Sequence, residues 1–152
     1  SERELGGLYT YQLFLPRGLG GFDVQSAELR RAAAYVGAFE GSFAAIADTL
    51  GFDSAGQFVE KCPKLNATLT AAGEQLQASM GKPFKWSPET CLSEPMRKRQ
   101  HEHMAQVYQA LHSFVWQQLS EDDRADFLSG RKDCRRFLSG IAYRRRRVRH
   151  AQ

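Results

Sequence analysis

The stretch LPRGLGGFDVQSAE, Leu15 to Glu28, decides how the chain is read. Gly18, Gly20 and Gly21 crowd together, and a helix start follows at once. Such a stretch is either a phosphate-cradling loop between a strand and a helix, or a tight turn that delivers the chain into a helix. The first implies an α/β fold. A Walker loop requires Gly-x4-Gly-Lys-Ser/Thr, with the lysine on the phosphates and the hydroxyl on magnesium. No lysine follows these glycines. A dinucleotide loop requires G-x-G-x-x-G inside a βαβ unit. Here the third glycine is out of place and no such unit surrounds the stretch. The glycines therefore predict a turn that needs positive φ and close backbone approach.

Upstream of the turn, Tyr9 to Leu15 (YTYQLFL) is short and rich in aromatic and apolar residues, which predicts a strand or extended segment ended by Pro16. Downstream, Asp23 or Ser26 offers an N-cap, and Glu28 puts a negative charge in the first helical turn. Leu29, Ala33, Val36, Phe43, Ile46, Ala47 and Leu50 then recur in steps that describe one helix face over residues 26–50. Gly37 and Gly41 interrupt it, either for close helix packing or as a break, and Gly51 is a C-terminal stop.

The remaining periodicity is helical too. Residues 53–62 predict a short helix with Phe58 and Val59 facing inward, ended by Pro63. Leu65, Leu69, Ala72, Leu76 and Met80 form a stripe over residues 64–80, closed by Gly81 and Pro83. Three prolines make residues 82–95 a loop or linker, and the place for a hinge. A long helix over residues 94–119, with Pro95 in its first turn, carries the stripe Met104, Val107, Tyr108, Leu111, Phe114, Val115 and Leu119. Ser120-Glu-Asp-Asp123 starts another short helix, ended by Gly130, and a last one spans residues 132–150, bent near Gly140. The expected fold is mainly α: an irregular multi-helix bundle with a short N-terminal extended segment. Residues 1–130 form the body and residues 131–152 a basic helix or tail.

A chain of 152 residues suffices for one domain with a core, and hardly for two. No apolar run approaches the roughly 20 residues that a membrane-spanning helix needs, so no membrane is expected as a partner. The N-terminus SERELGGLYT lacks the basic start and apolar core of a signal peptide. It begins at Ser1 rather than Met, as a fragment or a processed product does. Cys62, Cys91 and Cys134 are odd in number and widely spaced, which fits a reducing, intracellular compartment rather than a disulfide scaffold.

No catalytic motif is complete, and neither a metal nor a cofactor is expected. His101 and His103 flank Glu102, but residues two apart on a helix point in different directions, so solvated histidines are the expectation there. Cys134 lies among Lys132, Arg135 and Arg136, which lower a thiol pKa, yet it also falls at the apolar spacing of Phe137, Leu138 and Ile141. Asp122 and Asp123 are explained as helix-start charge.

Charge is where the chain is unusual. Residues 131–152 hold nine Lys/Arg against one acid, Asp133, a net +8. Residues 1–130 hold twelve Lys/Arg against sixteen acids, a net −4. Only the end attracts phosphate. The candidate contacts are Arg131, Lys132, Arg135, Arg136, Arg144, Arg145, Arg146, Arg147 and Arg149, with Tyr143 able to stack on an unpaired base. Four consecutive arginines point all round a helix and address a nucleic-acid backbone, RNA or DNA, rather than a base sequence. The same residues also fit a solubilising tail or a nuclear localisation stretch.

LPRGLGGFDVQSAE, followed by Ala32-Ala-Ala-Tyr-Val-Gly-Ala38, resembles a segment of non-LTR retrotransposon reverse transcriptases. In that family an LP-x-x-LGG stretch and an Ala-rich helix follow the polymerase palm, near the thumb. Leu119-Ser-Glu-Asp-Asp-Arg-Ala-Asp-Phe-Leu-Ser-Gly130 is similar to a downstream stretch with an Arg-Ala-x-x-Leu-Ser pattern. The resemblance implies a helical region that helps to hold template or primer, with the glycines as a structural turn. The family's paired-aspartate loop and its Cys/Cys/His/Cys knuckle are absent from this chain, so polymerisation is not expected of it. The competing expectation is a protein-interaction module whose stripe of Met104, Val107, Leu111, Phe114 and Val115 docks a partner helix.

Overall fold

A computed structural model describes residues 2–93, 98–125 and 127, and among them every regular element is helical. The helices are α1 (Glu2–Phe14), α2 (Ala27–Leu50), α3 (Ala55–Lys61), α4 (Pro63–Met80), α5 (Pro88–Ser93) and α6 (Arg99–Gln118), with a 3-10 turn at Arg17–Leu19. They form two compact units, residues 26–110 and residues 1–25 with 111 onward.

The core of the 26–110 unit follows from the periodicity of α2. Ser26 caps the helix by accepting from Leu29 N at 3.4 Å, and Gly51 ends it at φ +68°. Ala32, Ala33, Val36, Phe43 and Ala47 are buried on one face, while Leu50 lies 54% exposed as the face rotates away. The central glycine does not break the helix. A Cβ on Gly37 would meet the backbone of Gln100 on α6 at 2.5 Å, so Gly37 is the point where the two helices touch. α4 and α5 pack on α2 as well as on α3. Phe43, Phe58 and Trp86 meet edge to face in the middle, with ring centroids 5.0 to 6.1 Å apart. On α4, Leu69, Leu76 and Met80 are buried, and Leu65 and Ala72 pack against them half-buried.

Two expectations for this unit are corrected. Val59 does not face inward beside Phe58. One residue turns a helix by about 100°, and Phe58 alone takes the core. Residues 82–95 are not a bare loop, since their described part is core of the unit and includes α5. Gln77 Oε1 accepts from Phe84 N at 2.8 Å, Trp86, Pro88 and Cys91 are buried, and α5 starts where Ser87 Oγ accepts from Thr90 N. Pro88 begins a helix there instead of preventing one. Glu94 and Pro95 lie outside the described residues, and α6 begins at Arg99.

The other unit is organised by the glycine turn. Tyr9 to Leu15 is not extended: α1 runs through Phe14. Its aromatics suit a strand, but a strand needs a neighbour for its amides and carbonyls, and the described residues contain no strand; a helix satisfies them alone. Leu15, Val115 and Phe127 form the buried core, with Leu19, Leu111, Trp116 and Leu119 packed around it. Residues 121–125 are helical, and Ser120 caps them as expected: its Oγ accepts from Asp123 N at 3.2 Å. Gly130 and the expected helix over 132–150 lie outside the described residues.

Candidate functional site

The glycine turn is the first place to test for a site. Leu19 N and Gly21 N donate to Pro16 O, and Gly20 N donates to Arg17 O. Phe22 N, Asp23 N and Val24 N then donate to the carbonyls of Gln12, Leu15 and Leu13, at 3.3, 2.9 and 2.9 Å. Gln12 and Leu13 carry two of the last carbonyls of α1, and Leu15 follows the helix directly. The run of amides that could cradle a phosphate is thus spent on closing α1. The glycines are needed for steric reasons. Gly20 sits at φ +87°, with the Phe127 ring where its Cβ would be, and a Cβ on Gly21 would overlap the Leu15 carbonyl. The turn is structural.

A polar cluster lies inside the 26–110 unit. Glu40 and His103 are buried at 5% and 2% exposure, and His103 Nε2 is 2.6 Å from Glu40 Oε2. Arg99 Nε donates to the same carboxylate oxygen at 3.3 Å, and Arg99 Nη1 donates to Glu102 at 2.9 Å. Burial works against the Arg99 charge, but the Glu40 carboxylate and the hydrogen bonds to Glu102 and Glu40 outweigh it and raise its pKa. The Phe84 ring stands edge-on to His103 at 5.1 Å. This corrects the expectation of two solvated histidines, because His101 is exposed and His103 is core. The sequence did carry a signal for it. Glu40 falls three residues after Gly37 and three before Phe43, on the apolar face of α2, and a lone acid there needs a buried partner.

A carboxylate that orients an imidazole is the base half of a nucleophilic triad. Here both groups are shut from solvent, and the thiol that feels the Glu40 charge is no nucleophile. Burial, reinforced by Glu40, pushes Cys91 up to about 11. Among the described residues no group of three His, Cys, Asp or Glu could hold a metal ion. The cluster ties α2 to α6.

The expected nucleic-acid contacts Arg131, Lys132, Arg135, Arg136, Tyr143, Arg144, Arg145, Arg146, Arg147 and Arg149 lie outside the described residues, as does Cys134. The expected docking stripe on α6 is corrected in part. Met104, Val107 and Val115 are buried in the chain's own cores and Leu111 is half-buried, so among these five only Phe114 is exposed. What the sequence did not signal is how many apolar side chains the glycine-turn unit leaves exposed. Tyr11, Leu13, Phe22, Val24 and Phe114 are each 40% to 48% exposed. The Tyr11 and Phe114 rings meet edge to face at 5.8 Å. Val24 lies against Leu13 through its amide, and Phe22 lies against Gln12 in the same way. On another side of α6, Trp116 stacks on His112 at 6.0 Å and lies under the Arg124 guanidinium at 5.3 Å.

No protein-family model, curated protein or solved structure matches the chain.

Proposed function

We propose that this chain is a non-catalytic helical domain, related to retroelement polymerases, that binds the backbone of RNA or DNA through its basic C-terminal segment. The observation that carries this is the segregation of charge. Nine Lys/Arg against one acid in residues 131–152 follow a body that is net negative. Cations concentrated in this way release counterions when they meet phosphates, and that release gives affinity without sequence preference. The resemblance of residues 15–38 and 119–130 to non-LTR reverse transcriptases points the same way. The amides of the glycine turn are bonded within the turn and to the end of α1, and Cys91 is buried. The reading carries an intracellular location, with the arginine run also available as a nuclear targeting signal. None of the described helices is long and apolar enough to cross a membrane.

The test is fluorescence anisotropy of a labelled oligonucleotide against salt. Removing residues 144–152 takes away five of the nine cations. Affinity should fall steeply and the slope of log K against log salt should flatten by several units. Undiminished affinity after that deletion would sink the proposal.

A further inference from the structure

We infer that the partner is single-stranded, and that its bases stack on the exposed aromatic face formed by Tyr11 and Phe114. This rests on the proposed backbone-binding function and names the form of nucleic acid it takes. Three observations combine. The first is the face itself: Phe114 is 48% exposed and Tyr11 is 40% exposed, although the same unit buries Leu15, Val115 and Phe127 completely or nearly so. An aromatic ring left in water at a helix surface offers a stacking platform for any base, because every base has a π-face.

The second is tethering. Phe127 contacts His112 and Trp116, with ring centroids at 5.9 and 6.4 Å, on the side of α6 turned away from Phe114. Arg131 follows Phe127 by four residues, a span of at most about 14 Å even when fully extended. The basic segment therefore begins no more than about 14 Å from Phe127, in the same unit as the rings.

The third is charge, and it selects the strand state. Residues 1–130 are net −4 and repel a phosphate backbone. A duplex shows this body little but phosphates, with its base faces stacked away. A single strand instead offers unstacked bases, which are uncharged and apolar on their faces, while its phosphates go to the arginines. The division of labour between basic segment and aromatic body fits that form of partner only.

The experiment compares the full chain with F114A and F114W, each titrated into a labelled oligouridine of about 16 nucleotides and into a duplex of the same length. F114A should weaken oligouridine binding about tenfold, the size of one lost base stack, with the salt slope unchanged because no cation is lost. Duplex binding should not move, and F114W should bind oligouridine like the parent chain. Phe114 is exposed, so its truncation opens no core, and a thermal melt matching the parent confirms that for F114A. Equal oligouridine affinity for F114A and the parent would overturn the inference while leaving backbone binding intact, and so would equal losses on single strand and duplex. A self-association that F114A dissolves, with oligouridine affinity unchanged, would assign the face to a second copy of this chain. If the parent binds neither probe, the proposed function fails and the inference fails with it.

Discussion

His103 Nε2 on α6 lies 2.6 Å from Glu40 Oε2 on α2, and both side chains are almost wholly out of solvent. A pair of this kind adds little net stability over apolar side chains of the same size, but breaking it leaves one polar partner stranded. Glu40→Leu removes the acceptor for both His103 and Arg99, and should cost about 3 kcal/mol in urea unfolding. Glu40→Leu with His103→Leu should cost less than the two single changes summed, with a coupling of at least about 1 kcal/mol. Strict additivity would mean that the two groups do not depend on each other.

The same pair of helices is held close at Gly37. Its Cβ position is 2.5 Å from the Gln100 backbone, which has no rotamer to yield with. Gly37→Ala should therefore destabilise by about 1–3 kcal/mol through overpacking, although alanine is the better helix former. Gly56 on α3 has only Ser54 Oγ near its Cβ position, at 3.9 Å. Gly56→Ala should be neutral or stabilise by up to about 1 kcal/mol. The opposite signs, read from two thermal melts, separate packing from propensity.

Cys91 gives a pH signature. Its folded-state pKa is raised to about 11 by burial and by Glu40. The neutral thiol is the form that the fold favours, so its contribution is complete below the ordinary thiol range and is lost as pH rises from about 9 toward 11. At the top of that window the loss is about 2 kcal/mol. The stability difference between the parent and Cys91→Ala should shrink by about that amount between pH 8 and pH 11. A constant difference would show that the thiol ionises as freely folded as unfolded. Mass-spectrometric footprinting with iodoacetamide near neutral pH should likewise leave Cys91 unlabelled until the chain unfolds.

What could be read in advance followed period and punctuation. α2 and α4 declared themselves because their apolar residues recur at helical spacing and Ser26, Gly51 and Gly81 mark the ends with a cap or a left-handed residue. α1 misleads because YTYQLFL has strand composition, while the described residues offer no strand to pair with it. α5 is hidden in the sequence because Pro88 reads as a breaker, while Trp86, Pro88 and Cys91 belong to the core. The Glu40 and His103 pairing joins residues 63 apart in the chain. Local pattern could place Glu40 on the buried face, but it could not say which histidine would meet it. The α6 stripe was seen correctly as apolar and misjudged as free, since spacing shows which residues share a face and not what covers them.

The glycine stretch yields the sharpest contrast between a structural and a phosphate-binding role. Gly20 adopts φ +87°, and a Cβ there would stand 2.9 Å from the Phe127 ring, in the core that also holds Leu15 and Val115. Gly20→Ala should cost about 2 kcal/mol, part from the left-handed backbone and part from displacing the ring. Gly18 is exposed with no atom within 4 Å of its Cβ position, so Gly18→Ala should change stability by no more than about 0.5 kcal/mol. If the amides of this turn serve only to close α1, both variants should bind an oligonucleotide as the parent does, below the melting temperature of Gly20→Ala. A phosphate seated on the turn would reverse the pattern. Gly18→Ala, the variant with little effect on folding, would then be the one to lose affinity, because its methyl group would occupy the open side from which a ligand approaches.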